Sequence, residues 1–288
     1  MFKNYLLIAL RAMTKNKLYA VINVMGLSIG LSVYLFASIL ADYERNHDTH
    51  FANHDRTYTI GSVLSEKATI GVREFDNTYT SIGPLLEAEL DEIEYVARTV
   101  VNPYLVSIGD RHFHEEVKFA DQTLLNVFDF EYLHGDTNAL NDPSGLVIDR
   151  DTAMKWFGRT DVVGETLMFN HEHSFFINAV IEDVPRNTHF HALITGSGIS
   201  IVANIVALNR MTGWALEGNW NNISTGHHTY VMTHQPVDLS AFQNRVNAVF
   251  DRNVDPEMQD TFLASLRVRP LKDTNSAIWD MIGMPVIE

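Results

Sequence analysis

The sequence contains no cysteine. That excludes a disulfide framework, a thiolate metal centre and catalysis through a cysteine nucleophile. Basic residues are scarce: 21 Lys and Arg stand against 36 Asp and Glu, for a net charge of −15. A nucleic-acid-binding face needs positive surface, so no nucleic acid partner is expected. The phosphate-cradling loop G-x-x-x-x-G-K-[ST] is absent, as is the zinc motif H-E-x-x-H, although "HEEV" (114–117) and "HEHS" (171–174) begin like one. "GSGIS" (196–200) lacks the G-x-S-x-G spacing of a nucleophile elbow. No tandem repeat or low-complexity tract stands out. With no catalytic set in evidence, the chain reads as a non-enzyme, with no cofactor and no catalytic or metal-ligating residue assigned.

Long apolar runs are missing too, with one exception. Residues 18–41 carry no formal charge. At 1.5 Å per residue such a helix reaches roughly 36 Å, enough to cross a hydrocarbon core of about 30 Å with some tilt. The apolar core of a cleavable signal is shorter, about 7–15 residues. Ala41 would suit the last position of a cleavage site, but Ile39 two residues earlier does not. The run is therefore expected to stay as a membrane helix. Before it, residues 1–17 hold Lys3, Arg11, Lys15 and Lys17 and no acid, a charge of +4, so the remainder carries −19 against the total of −15. Basic flanks stay in the cytoplasm, which puts the acidic body outside. Phe2, Leu6, Ala9, Leu10 and Met13 fall at helical spacing. They make either an amphipathic interfacial helix or the first turns of one long helix. Gly26 and Gly30, with Ser28 between them and Ser32 beyond, form a G-x-x-x-G face suited to helix packing in lipid. Tyr19 and Tyr43 flank the run as interfacial aromatics do.

A body of about 250 residues can build a core without covalent staples. Periodicity predicts strands over 56–63, 93–108 (interrupted at Asn102-Pro103), 112–119, the "ETLMFN" and "HSFFINAVIEDVP" segments, 227–236 and 261–271. Helices are predicted over 79–90 and 239–250, with a short one inside 121–136. "SGLVIDRDTAMKWFG" (144–158) reads as a strand running into a helix, capped by Asp149 or Asp151 and ended by Gly158. The apolar stretch 199–208 is short and broken by Asn204. The fold class is α+β, with two lobes expected. Histidines recur in pairs: His112 with His114, His171 with His173, His189 with His191, His227 with His228. An H-x-H on a strand aims both rings at one face and can chelate a metal, but no third ligand stands nearby in sequence, so these read as surface or hairpin histidines. Asp48, Asp55 and the "EDVP" acids read as a solvated face.

Taken in order, several phrases resemble one family. "FKNYLLIALRAMTKNKLYAVINVMGLSIGLSVYLF" (2–36) resembles the start of permease subunits of the MacB/FtsX-type ABC transporter superfamily. "FDFEYLHGD" (128–136), "GLVIDRDTAMKWFG" (145–158), "VVGETLMFN" (162–170), "FFINAVIEDVPRNTHFHALI" (175–194) and "LRVRPLKDTN" (266–275) resemble its MacB-like periplasmic core domain. The resemblance implies a cytoplasmic basic segment (1–17), a transmembrane helix (18–41) and a two-lobed periplasmic core domain (42–288). One lobe is expected from about 56–108 plus 227–271, the inserted lobe from about 112–200. It further implies a non-catalytic subunit in the inner membrane. That subunit would couple a cytoplasmic ABC ATPase to periplasmic movement in export or signalling, as a permease homodimer or heterodimer and with a periplasmic adaptor. Permeases of this kind carry at least three more membrane helices after the core domain. This chain ends at "IWDMIGMPVIE" without them, so the expectation is a fragment or a split subunit whose missing helices come from another chain. The alternative is a single-span tethered binding or sensor protein with no ATPase partner.

Overall fold

The computed structural model describes residues 2–69, 73–191, 198–218, 220, 223 and 226–274. The closing "IWDMIGMPVIE" and part of "GSGIS" lie outside them. The chain divides into two units, Met1–Arg45 and Asn46–Glu288.

The first unit is helical. α1 (Phe2–Lys15) and α2 (Lys17–Arg45) are separate, with a bend at Asn16. Of the two sequence readings, the basic segment is thus its own helix. The Ala20 N–H donates to the Asn16 carbonyl at 3.1 Å, so the second ladder begins at the bend. At 29 residues α2 is roughly 43 Å long. Its stretch Lys17–Tyr43 has a mean hydropathy of 2.0 in its most apolar window and is long and apolar enough to cross a membrane. Apolar residues occupy every side of it, Leu27 and Phe36 among the most exposed. A helix without a polar face is one whose solvent is lipid or other protein.

The second unit is built on an 11-stranded sheet. β1 (Thr57–Leu64) lies antiparallel between β10 (His228–Thr233) and β11 (Leu263–Pro270), and the short β2 (Glu74–Phe75) adds to it. β10 pairs with the first half of β3 (Ile93–Ile108), and β4 (Arg111–Ala120) pairs with β3 along most of its length. β4 runs parallel to β9 (Ile201–Asn204), which lies antiparallel to β6 (Gly145–Asp149). β6 is parallel to β8 (His173–Ile181), and β8 pairs with β5 (Tyr132–His134) and β7 (Thr166–Phe169). β7 then returns to β3 through Val106–Phe169 and Ser107–Met168. The pairings β3, β4, β9, β6, β8, β7 and back to β3 therefore close a six-stranded ring.

Each ring strand sends alternate residues to one shared core: Val106, Phe119, Ala203, Ile148, Ile177 and Phe169 are all fully or almost fully buried there. α5 (Arg150–Phe157) and α6 (Ile205–Thr212) close it with Trp156 and Leu208. Outside the ring, strands β11, β1, β10 and β3 form an open sheet. α3 (Ile82–Glu89) and α7 (Leu239–Asn253) cover one of its faces, where Tyr58, Ile60, Val96 and Val231 meet Leu86, Phe242, Val246 and Val249. The spacing of Phe242, Val246, Val249 and Phe250 is that of a helix with one apolar stripe. Burying each such side chain contributes about 1.5–3 kcal/mol relative to exposure.

Local signals explain most boundaries. Asp149 caps α5 by accepting from Thr152 N–H at 2.8 Å, and Gly158 ends it at φ +70°. Asn204, read as an interruption, ends β9 and caps α6, accepting from Val206 N–H at 2.7 Å. β3 is not interrupted at Asn102-Pro103. Its residues between the β10 pairing, which ends at Thr99, and the β7 pairing, which begins at Val106, have only β4 as a sheet neighbour. That stretch is locally an edge, where a residue without an N–H is tolerated. Residues 261–262 do not belong to the last strand. Thr261 ends α8 (Pro256–Thr261), whose Asp255 cap and leading Pro256 are standard helix-start chemistry.

Candidate functional site

The sequence candidates Gly26 and Gly30 both lie exposed on α2, and a Cβ built on either meets nothing within 4 Å. The face they mark stands open in the single chain. The structure draws attention to a second place, where the chain enters the body after Arg45.

There the backbone turns sharply. Asp48 adopts φ +58°, a left-handed conformation that Asp and Asn tolerate better than most residues. Its N–H donates to the Asn187 carbonyl at 3.0 Å, and the Asn187 side chain donates back to the Asn46 carbonyl at 3.0 Å. The Asp48 side chain is completely buried. One carboxylate oxygen lies 2.8 Å from His47 Nδ1 and the other 2.9 Å from His189 Nδ1. The same group accepts the Thr188 hydroxyl and, at 3.1–3.2 Å, the His189 backbone N–H. A carboxylate delivered from 140 residues away thus caps the short 3-10 turn His189–His191, meeting donors that the turn itself leaves unsatisfied. His189 Nε2 continues the chain to the Tyr230 hydroxyl at 3.0 Å.

Burial by itself would raise the Asp48 pKa. The adjacent His189 charge, and hydrogen bonds from His189, His47 and Thr188, outweigh it and hold the carboxyl well below the usual range. Burial pushes the Tyr230 phenol well above its ordinary value, with the Asp48 and Asp76 charges adding to the effect. Phenyl rings make the surroundings dry. Phe51, three residues past Asp48, lies edge-on to Phe128 at 4.9 Å, and Phe128 meets Phe190 and Tyr230 at 5.0 Å each. Further rivets hold the incoming segment. Ala52 N–H donates to Asp129 at 2.9 Å, and Arg56 pairs with Glu94 and donates to the Thr233 carbonyl at 2.7 Å.

The polar column goes on along β10. The His228 and Tyr230 rings stack at 6.1 Å, Asn77 Nδ2 lies 3.5 Å from His228 Nε2, and the buried Asp76 pairs with Arg269 at 3.2 Å. On the face toward α3, Arg98 grips Asp121 with two nitrogens at 2.8 and 2.9 Å. Asp48, His189 and Tyr230 line up as a proton relay would, yet all three are buried and offer a substrate no contact surface. What the arrangement does is join several segments distant in sequence at one dry point.

These positions correct the sequence reading. Asp48 is not on a solvated face, whereas Asp55 is exposed; Glu182 and Asp183 are half-buried and both pair with Arg150. His189, His227 and His228 are buried; His112, His114, His171 and His191 are exposed, and His173 is intermediate. Among the described residues, no group of three or more His, Asp or Glu is arranged to hold a metal ion. A groove of about 640 Å³ opens beside Leu64, Lys67 and Asp260, but its charges are matched, Lys67 to Asp260 and Arg73 to Glu66. No local pattern announced Asp48, because its partners other than the adjacent His47 are supplied by a loop far along the chain. The one available signal was the polar phrase "NTHFH" (187–191), set off by five residues from the end of an apolar strand.

Comparison with known families gives a match over residues 20–249 to the MacB-like periplasmic core domain. Among solved structures, a domain of a protein described as a permease from Porphyromonas gingivalis aligns with a TM-score of 0.62 at 20% identity, over 76% of this chain and 91% of that one. The periplasmic region of MacB from Actinobacillus actinomycetemcomitans aligns at 0.54 and 11% identity, over 81% and 94%. The extracellular domain of the noncanonic ABC-type transporter YknZ from Gram-positive bacteria aligns at 0.50 and 14% identity, over 74% and 98%. At these identities the structural likeness speaks for the fold. No curated protein gives a significant match.

Proposed function

This chain belongs to the MacB-like periplasmic core domain family, and from that premise we propose that it is a non-catalytic, permease-type subunit of a MacB/FtsX-like ABC transporter, or the N-terminal portion of one. In this reading α2 crosses the inner membrane with Lys3, Arg11, Lys15 and Lys17 on the cytoplasmic side, and the body lies in the periplasm. A partner ATPase acts from the cytoplasm, and its cycle reaches the body through membrane helices, those of this chain and of the rest of the assembly. The output is mechanical, in export or signalling, with a periplasmic adaptor as a further partner.

The observation that carries the reading is the extent of the family match. It begins at residue 20, inside α2, and runs through the body to residue 249, so helix and body fall within one matched stretch. The Asp48 junction supports a mechanical role, since force arriving along the chain at Asn46 meets a segment tied to β10 and to the 187–190 loop within a few residues. We assign Gly26 and Gly30 to a packing face for a second membrane helix in a permease homodimer or heterodimer. Two lobes are also part of the proposal: one from about 56–108 plus 227–271 around the α3–α7 core, and one from about 112–200 around the ring.

Affinity purification of the full chain from native membranes tests this. The expected result is co-purification of an ABC ATPase whose hydrolysis rate changes when Asp48→Asn is introduced. Recovery without any ATPase, together with saturable binding of a soluble periplasmic ligand, would replace the proposal with the tethered-sensor reading.

A further inference from the structure

Away from the junction, two hairpins bring a pair of exposed imidazoles together. His112 lies at the start of β4, just after the β3–β4 turn, and His171 lies in the turn between β7 and β8. The register sets Ser107 of β3 opposite both His112 of β4 and Met168 of β7. Both rings point at the one Ser107 hydroxyl, His112 Nδ1 at 2.9 Å and His171 Nδ1 at 3.4 Å. Their centroids are 5.0 Å apart in an edge-on arrangement.

The second turn is fastened in place. Asn170 and His171 adopt φ +50° and +62°. The Asn170 N–H donates to the Leu105 carbonyl at 2.8 Å, and its side chain accepts from the Leu105 N–H at 3.0 Å. This double clamp fixes the turn across β3 and holds His171 over Ser107. His114, one row along β4 on the same face, is opposite Leu105 and also exposed.

We infer that His112 and His171 form a surface site for a divalent transition-metal ion of the imidazole-preferring class, such as Zn²⁺, spanning the two hairpins beside Ser107. Two imidazoles whose Nδ1 atoms converge on one hydroxyl supply the nitrogen ligands such ions favour, and an ion held at about 2.0–2.1 Å would take over the contacts both rings now make with Ser107. No third His, Asp or Glu among the described residues joins them as they stand, so water completes the coordination and the ion exchanges freely. Bridging would cross-link the β3–β4 and β7–β8 turns at the point where the ring closes.

The test is Zn²⁺ titration by calorimetry of the full chain in detergent, purified without an oligohistidine tag. One equivalent of saturable binding is expected at micromolar Zn²⁺. His112→Gln and His171→Gln should each raise the Kd by at least about ten-fold, while His191→Gln, an exposed histidine outside the pair, leaves it unchanged. Matching thermal melts establish that the variants remain folded. No saturable uptake below millimolar Zn²⁺, or equal affinity in wild type and both variants, overturns the site.

Discussion

His189 and His112 each open an H-x-H pair, at 189–191 and 112–114. His189 is buried between a carboxylate and a phenol, fixed on both ring nitrogens, and surrounded by Phe128 and Phe190. His112 is exposed, shares a serine hydroxyl with a second histidine and faces water. The same side chain is a structural tie in one place and an available ligand in the other. What differs is the dielectric around it and the number of partners already committed. A buried polar network is expensive to disturb because each orphaned group stays dry, whereas an exposed one is re-solvated at once.

That contrast can be broken by measurement. The largest effect is expected for Asp48→Ala, which strands His47, Thr188 and His189 and places alanine at φ +58°; a loss of about 3–5 kcal/mol follows from leaving several buried donors without a partner, at about 1–3 kcal/mol each. Asp48→Asn, which tolerates the backbone, should lose less. Chemical denaturation of the full chain in detergent reads both, and wild-type stability in the alanine variant would dissolve the distinction.

Acid titration addresses the same group. The Asp48 pKa is depressed on folding, so its contribution is fully present above the ordinary carboxylate value of 3.8 and is lost as pH falls below that value. An acid-unfolding midpoint that does not move in Asp48→Asn would speak against the assignment.

Lys118 tests the dry side from the opposite sign. Burial lowers its pKa from 10.5 to about 7, only partly offset by Glu116, and its ammonium lies 5.2 Å from the Phe190 ring centroid. Between those values the unfolded chain binds the proton and the folded chain releases it, so stability should rise from pH 7 to about pH 9. Above pH 10 the raised Tyr230 pKa works in the reverse direction. The slope between pH 7 and 9 should vanish in Lys118→Met.

Tyr230→Phe removes one hydrogen bond from His189 and is expected to cost about 1–2 kcal/mol. At the bottom of the scale, His112→Gln and His171→Gln should stay within about 0.5 kcal/mol of wild type without metal, as exposed substitutions do. A larger loss from either would erase the difference between the two clusters.

Elements with a local cause were legible in the sequence. The apolar stripe of Phe242, Val246 and Val249 announced α7, the Asp149 and Gly158 bracket announced α5, and the uncharged run at 18–41 announced α2. The resemblance of the longer phrases to the MacB-like core domain agrees with the family match. Long-range features had no such marker. Ring closure depends on two residue pairs between β3 and β7, more than sixty positions apart. Asp48 looked like any other acid in a polar stretch because its partners Thr188 and His189 meet it only in the folded chain. Pro103 misled for a related reason: whether proline breaks a strand depends on what lies beside that strand.

β3 belongs to both the open sheet and the ring, with β10 on its first half and β7 near its end. At 16 residues it is roughly 53 Å of continuous backbone. In hereditary terms this makes the two parts poor candidates for shuffling. A breakpoint that exchanged one for a foreign counterpart would have to fall within a paired strand, and the recombinant would inherit half of a ladder. Variation between descendants of such a body should therefore accumulate in its turns, while the two parts travel through lineages as a single gene segment.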